Sequence, residues 1–269
     1  MIFVYGTDLH GDRSKYRALS RAAMDRSADL LVAGADVLPK GNSSTMLEDQ
    51  RRFLGWLKSF SSRCPCPLYF GFGNDDLRHL VGEARAVAAS SCGTLRLLEP
   101  RGTVGGVGYM SYPHVPEYPF GLKDWVKFDT DSQPRPDQLG PPVVSCEDGF
   151  RRLAATPEYA EALMRSWGTM RADLEGVSRA EVAFVHAPPA GMDLDVCYDG
   201  RAVGSLAVRE WILRCQPLVS LHGHIHESYG VTGVWSGTLG PSLVVQPGDG
   251  HYAVVTVHGG KASAAVFKY

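Results

Sequence analysis

The sequence predicts an α/β fold with two β-sheets covered by helices, in a single domain spanning residues 1–269. Three features point to it. Five short apolar runs rich in Val, Leu and Phe recur along the chain, each ending in a polar or glycine-containing tip. Stretches with helical spacing separate them, and the C-terminal part alternates with the two-residue period of a β-hairpin.

In chain order, IFVYGTD (2–8) is the first strand, apolar at consecutive positions as a strand buried on both faces requires. Tyr16, Leu19 and Ala23 then share one helical face. DLLVAGAD (29–36) forms the second strand, Phe53, Leu57 and Phe60 mark the next helix, and PLYFGFGND (67–75) forms the third strand. TVGGVGYMS (103–111) is a strand pair or a strand with a bulge. Residues 112–148 are rich in Pro and aromatics and too long for a plain connection, so they predict a lid, a recognition insertion or a mobile loop. Tyr159, Leu163, Trp167, Met170 and Leu174 line one longer helix. AEVAFVHAPP (180–189) is the fourth buried strand, Val208, Trp211, Ile212 and Cys215 mark a helix, and PLVSLHGHIH (217–226) is the fifth strand. SLVVQPGDG (242–250) adds a strand, and the remaining residues fold back as a hairpin about a Gly-Gly turn. Alternating strands and helices imply βαβ units and a substantially parallel sheet, followed by an antiparallel-rich half.

Composition narrows the function. A net charge of −2 with both signs interspersed argues against bulk binding to nucleic acid, which calls for a basic excess or stripe. No run is apolar for the length of a membrane span, and the N-terminus lacks the basic and apolar regions of a signal peptide. The six cysteines have no framework spacing and are expected as free thiols, which points to the cytoplasm.

The strand tips carry the chemistry. Each of the five runs ends in oxygen or imidazole donors: Asp8 and His10, Asp36, Asn74 and Asp75, His186, then His224 and His226. Ligands of α/β sheets bind beyond the carboxyl ends of strands, so these tips are expected to converge. In an extended D-x-H, alternate side chains share a side, which lets Asp8 and His10 grip one ion and turns His224 and His226 the same way. Gly34 and Gly73 allow close backbone approach, Asp36 can bridge two ions, and Asn74 offers a neutral oxygen. His222 falls outside this set and is expected to be a buried strand residue. Mixed imidazole and carboxylate ligation suits Mn, Fe or Zn better than Ca or Mg.

Taken in order, D8-x-H10, G34-A-D36, G73-N74-D75, H186-A-P-P and G223-H224-I-H226-E-S resemble the calcineurin-like metallophosphoesterase family, from residue 8 to about 228. HAPP, the Gly-Ser at 204–205, QPLVSLHGHIHES and the Pro-Gly turn resemble its Icc-related branch. The resemblance implies a four-layer α/β/β/α sandwich of two mixed sheets flanked by helices, with the site at their C-terminal edge. It also implies two divalent transition metals, one on Asp8, His10, His226 and a shared Asp36, the other on Asp36, Asn74, His186 and His224. The implied reaction is hydrolysis of a small phosphorylated substrate by a hydroxide bridging the ions.

One position departs from the family. Its motif is commonly G-N-H, whose histidine assists the phosphate or the leaving group, and here Asp75 takes that place. Two dications, Asp8, Asp36 and a hydroxide sum to a single positive charge, which an inward, ionised Asp75 cancels. That favours a monoanionic diester such as a cyclic nucleotide over a dianionic monoester. If Asp75 turns away, Asp76 or His114 is the candidate catalytic group. Tyr112, His114, Tyr118, Phe120 and Trp125 are expected to anchor the insertion, with nucleobase stacking the sharper alternative. Lys40 is expected as a solvated loop lysine. A nuclease and a non-catalytic scaffold of the same fold are the competing readings; charge balance opposes the first, the intact ligand set the second. Nothing in the sequence sets the oligomeric state.

Overall fold

A computed structural model describes residues 1–41 and 44–269. The first part of the chain comprises β1 (Ile2–Gly6), α1 (Arg13–Asp25), β2 (Leu30–Ala33), α2 (Met46–Ser61), β3 (Leu68–Phe70), a 3₁₀ turn (Arg78–Leu80), α3 (Val81–Ala89) and β4 (Leu95–Leu97). There follow β5 (Arg101–Val104), β6 (Val107–Tyr112), β7 (Val115–Pro116), β8 (Val126–Lys127), β9 (Val143–Cys146), β10 (Gly149–Arg152), α4 (Pro157–Ser166) and α5 (Met170–Glu175). The last part holds β11 (Val182–Val185), α6 (Leu206–Cys215), β12 (Val219–Leu221), α7 (Ser228–Thr232), β13 (Ser236–Leu239), β14 (Ser242–Val245), β15 (His251–His258) and β16 (Lys261–Lys268).

Two six-stranded sheets result, ordered β16-β15-β1-β2-β3-β4 and β13-β14-β12-β11-β6-β5. The first is antiparallel along β16-β15-β1 and parallel from β1 to its β4 edge, while the second has a parallel centre and antiparallel margins on both sides. β7 pairs with β8, and β9 with β10, as small ribbons outside the sheets. The terminal hairpin therefore does not extend the second half, as the antiparallel-rich pattern suggested. It crosses back and pairs β15 with β1.

Side-chain alternation explains the layers. Val4, Leu31, Ala33, Leu68 and Phe70 face a core shared with α1 and α2, while Phe3, Tyr5, Leu30, Val32 and Tyr69 face the other sheet. In the second sheet Ala183 and Val185 point to the helix α6 side and Val182 and Phe184 to the inter-sheet core. Three apolar interfaces thus separate four layers, α/β/β/α. Strands covered on both faces need no polar positions, hence their continuous apolar runs.

The predicted long helix is two helices. Gly168 adopts φ +76°, which ends the first, and Thr169 caps the second by accepting from the Ala172 amide. Tyr159 and Leu163 face solvent, and Ala160 and Met164 are buried instead. Helix α3 carries small residues and had no clear apolar stripe to announce it. The pair of strands at 101–112 turns through Gly105 and Gly106, both at positive φ. All six cysteines are free, and no helix among the described residues is long and apolar enough to cross a membrane.

Candidate metal centre

The carboxyl ends of β1, β2, β3, β11 and β12 deliver the seven ligand candidates to one place. Donor atoms of Asp8, His10 and Asp36 lie within 4.8 Å of one another. Asp36 Oδ2 is also 3.3 Å from His186 Nε2, so it borders both halves of the cluster. Asn74 Oδ1 sits 2.8 Å from His186 Nε2 and 2.7 Å from His224 Nδ1. The His224 amide donates to Asp8 Oδ1 at 3.0 Å, which joins the last strand tip to the first. His226 is at the rim, its ring 6.2 Å from that of His10.

The local backbone corrects one step of the sequence argument. Asp8, His10, Asp36 and His224 have φ of 52°, 44°, 48° and 69°. They do not sit in extended strands whose alternate side chains share a face. They lie past the strand ends, in left-handed turns that swing the side chains inward. Such conformations cost about 1 kcal/mol or more for each non-glycine residue, and they gather where function needs them. Glycines make room for the turns: a Cβ on Gly73 would lie 2.3 Å from Asp36 Oδ1, and one on Gly223 2.4 Å from Asp8 Oδ2.

Burial and charge act together here. Burial pushes the Asp36 carboxyl up, but His186, His10 and the Asp75 amide outweigh it and hold the group well below the usual carboxylate range. Burial likewise pulls His186 down, yet Asp36 and the other carboxylates raise it to about 9. His224 is lowered to about 3 by burial and by its neighbour His186.

The donor set fits divalent cations. Asp8 Oδ2, His10 Nδ1 and His226 Nδ1 are buried with no hydrogen-bond partner among the described residues. Leaving such atoms unsatisfied costs roughly 1–3 kcal/mol each. Carboxylate, amide and imidazole donors packed this closely are what a borderline transition-metal dication takes as ligands.

Asp75 turns inward. Its carboxylate lies 3.9 Å from His10 Nδ1 and accepts from Asn74 Nδ2 at 3.2 Å, which leaves Asn74 Oδ1 aimed at the two histidines. Lys40 is exposed, as expected of a solvated lysine, and its ammonium also pairs with Asp75 Oδ2 at 2.8 Å. Burial lowers the Lys40 ammonium's pKa, but Asp75, Asp36 and Asp8 raise it overall. Asp76 does not face the site: it is fully buried and accepts from the amides of Val37, Leu38 and Gly73. His114 packs between the rings of Tyr112 and Trp125, and burial lowers it to about 3.

Gln50, Lys123 and Glu117 escaped the sequence reading, while Trp125 and Tyr118 were expected as anchors of the insertion and serve the site as well. Gln50 of α2 donates to the carbonyls of Asp75 and Pro39 and accepts from the Leu77 amide. Trp125 donates to the Asp76 carbonyl at 2.7 Å. Tyr118, from the 112–148 stretch, covers His224 with ring centroids 5.9 Å apart. A buried Lys123–Glu117 ion pair at 3.0 Å holds it, with Lys123 also donating to the Tyr118 carbonyl. Tyr112 and Trp125 are buried anchors, whereas Phe120 is largely exposed. His222 is buried as expected, one residue past the end of β12, with Nδ1 donating to the Ala187 carbonyl at 2.8 Å.

No protein-family profile matches the sequence, and no curated protein aligns with it. Solved structures do. TT1561 of Thermus thermophilus superimposes with a TM-score of 0.54 at 19% identity, covering 98% of this chain and 97% of that one. A second structure gives a TM-score of 0.59 at 15% identity over 98% of each chain. A dimetal phosphatase from Danio rerio gives a TM-score of 0.49 at 13% identity over 100% of this chain and 99% of its own, too distant to bear on activity. The first two likenesses establish a shared fold along nearly the whole chain.

Proposed function

We propose that this protein is a phosphohydrolase that holds two divalent transition metals at its strand tips and cleaves a phosphodiester, of the cyclic-nucleotide kind, in preference to a monoester. The observation that carries the reading is Asp36, whose carboxylate borders both donor groups at once. Asp8, His10, Asp36 and His226 hold one ion, and Asp36, Asn74, His186 and His224 the other. When bound, Mn, Fe or Zn supplies Lewis acidity, activating water and polarising phosphoryl oxygens.

The chain's own residues then set the substrate. Asp75 opposes the second charge of a monoester dianion and keeps the Asn74 amide oriented. Lys40 offsets part of that opposition from the rim and offers its remaining N–H groups to a phosphoryl oxygen. Tyr118 covers the His224 side and keeps water from that edge. Because both sheets contribute ligands, residues 1–269 act as one domain, with the 112–148 stretch as the partial lid.

Comparing bis-p-nitrophenyl phosphate with p-nitrophenyl phosphate on Mn-loaded protein tests this. The diester is expected to turn over faster. Lys40→Ala should enlarge the preference and Asp75→Asn shrink it, each by about fivefold, the weight of an interaction near 1 kcal/mol. Faster monoester turnover removes the preference. Failure on both substrates, with no metal retained on purification, sinks the enzyme reading in favour of a scaffold.

A further inference from the structure

A cavity of about 460 Å³ opens beside the 3₁₀ turn that follows the Asn74–Asp76 loop, and none of the seven ligand candidates lines it. Arg78 borders it from the turn and Arg151 and Arg152 from β10. Leu153, the exposed Leu163 and Trp167 supply an apolar side.

Its electrostatics are unbalanced. Several exposed guanidiniums elsewhere find carboxylates, as Arg51 does with Glu83, Arg85 with Glu99 and Arg171 with Glu210, while others, Arg17 and Arg21 among them, stand singly on the surface among the described residues. Among the described residues, Arg78, Arg151 and Arg152 make no ion pair and no side-chain hydrogen bond. Arg78 rests on the Trp125 ring at 5.3 Å. Two other charged groups line the cavity. Asp124 accepts from the Arg78 and Ser145 amides and from the Ser145 hydroxyl, neutral donors that orient its carboxylate and leave its charge, while Lys123 is buried against Glu117. Three guanidiniums against the single Asp124 carboxylate therefore leave an excess of positive charge at one opening, in a chain whose net charge is −2.

We propose that this cavity binds a nucleoside phosphate, with the phosphates on the guanidiniums and the base against Trp167 and Leu153. A guanidinium fork matches phosphate oxygens in geometry as well as charge. The volume lies within the range of small-molecule sites. A bare inorganic anion leaves the apolar side in water, and a neutral aromatic leaves the charges unpaired; a nucleoside phosphate satisfies both. The site is separate from the metal centre and works without cations.

The test is calorimetric titration of the full chain, stripped of metal with EDTA, with ADP, adenosine and inorganic phosphate. One ADP per chain is expected, with adenosine and phosphate each binding at least tenfold more weakly. Arg78→Gln, and the pair Arg151→Gln with Arg152→Gln, should each weaken ADP roughly tenfold or more, the usual effect of losing a charged hydrogen bond. Trp167→Ala should weaken ADP and leave phosphate unchanged. All the arginine changes are at exposed positions, and thermal melts matching the parent show that the variants fold. ADP binding that requires Mn, or that survives the arginine changes, places the nucleotide at the metal centre and overturns the proposal. Phosphate binding as tight as ADP reduces the cavity to a plain anion site and overturns it too.

Discussion

At the scale of single residues, the site depends on atoms that are absent as much as on donors that are present. Gly73 has an ordinary φ, so an alanine there meets no backbone penalty and acts only through its methyl, 2.3 Å from Asp36 Oδ1 and 2.6 Å from the Asp36 amide. Asp36 must move. Gly73→Ala is expected to weaken metal binding 10- to 100-fold, as losses of supporting contacts do, measured by equilibrium dialysis against Mn or Zn. Unchanged affinity would place Asp36 outside the ligand set. His114 yields a prediction about stability. Burial depresses its pKa from 6.5 to about 3, so the unfolded chain takes up a proton that the folded chain refuses. Below pH 6.5 the unfolded state binds more protons, and folding stability falls with pH until about 3. His114→Phe removes this contribution. Its urea-unfolding free energy relative to the parent should improve by a few kcal/mol between pH 7 and pH 4. A constant difference would show that the imidazole already carries its proton in the fold. The same depressed pKa leaves His114 uncharged at neutral pH, which disfavours it as the proton donor.

At the scale of elements, helix α2 braces the loop that carries Asn74 and Asp75. Gln50 lies on its buried face and satisfies two carbonyls and one amide from two loops. Gln50→Leu fills the space and orphans all three groups, so it should cost about 2–4 kcal/mol in urea unfolding and loosen the loop enough to lower metal affinity. A loss below about 0.5 kcal/mol would mean that water replaces the amide. This brace also marks where the sequence ceases to be legible. The strand tips could be read because only a few side-chain types bind metals and five such tips recur in order. Gln50, Asp76 and Trp125 bind backbone carbonyls and amides, which every residue has, so nothing in the sequence labels the partner. The left-handed turns at Asp8, His10, Asp36 and His224 were hidden for a related reason. Only glycine advertises positive φ, and these turns are imposed on other residues by the convergence itself. The break after α4 was visible in principle, since Gly168 followed by Thr169 is a stop and then a cap. The apolar spacing across it masked both.

At the scale of the whole molecule, the two sheets share the ligand candidates: Asp8, His10, Asp36 and Asn74 come from one, and His186, His224 and His226 from the other. Their separation is set by the inter-sheet core, where Phe184 packs on Tyr5 and Phe3 at centroid distances of 6.3 Å and on Tyr109 at 5.8 Å. The Tyr5 hydroxyl donates across the gap to the His222 carbonyl. Cations bound at the rim of this interface would tie the sheets together in the folded state alone, since the unfolded chain does not assemble the cluster. Each ion present at a hundred times its Kd then adds about 2.7 kcal/mol of stability. For a chain of this size that is a rise of roughly 5–10 °C in Tm per ion. EDTA should lower the Tm of the metal-loaded protein by that amount for each ion removed, and Asp36→Asn, which weakens both positions at once, should abolish most of the difference. Phe184→Ala separates the core from the cluster. It should lower the Tm of metal-free and metal-loaded protein alike through a cavity loss of about 3–5 kcal/mol. It should also reduce the shift on chelation, because sheets no longer held at the right spacing offer the ions a poorer cage. A chelation shift that Phe184→Ala leaves intact would mean that the cluster is positioned by its own loops and not by the packing of the sheets beneath it.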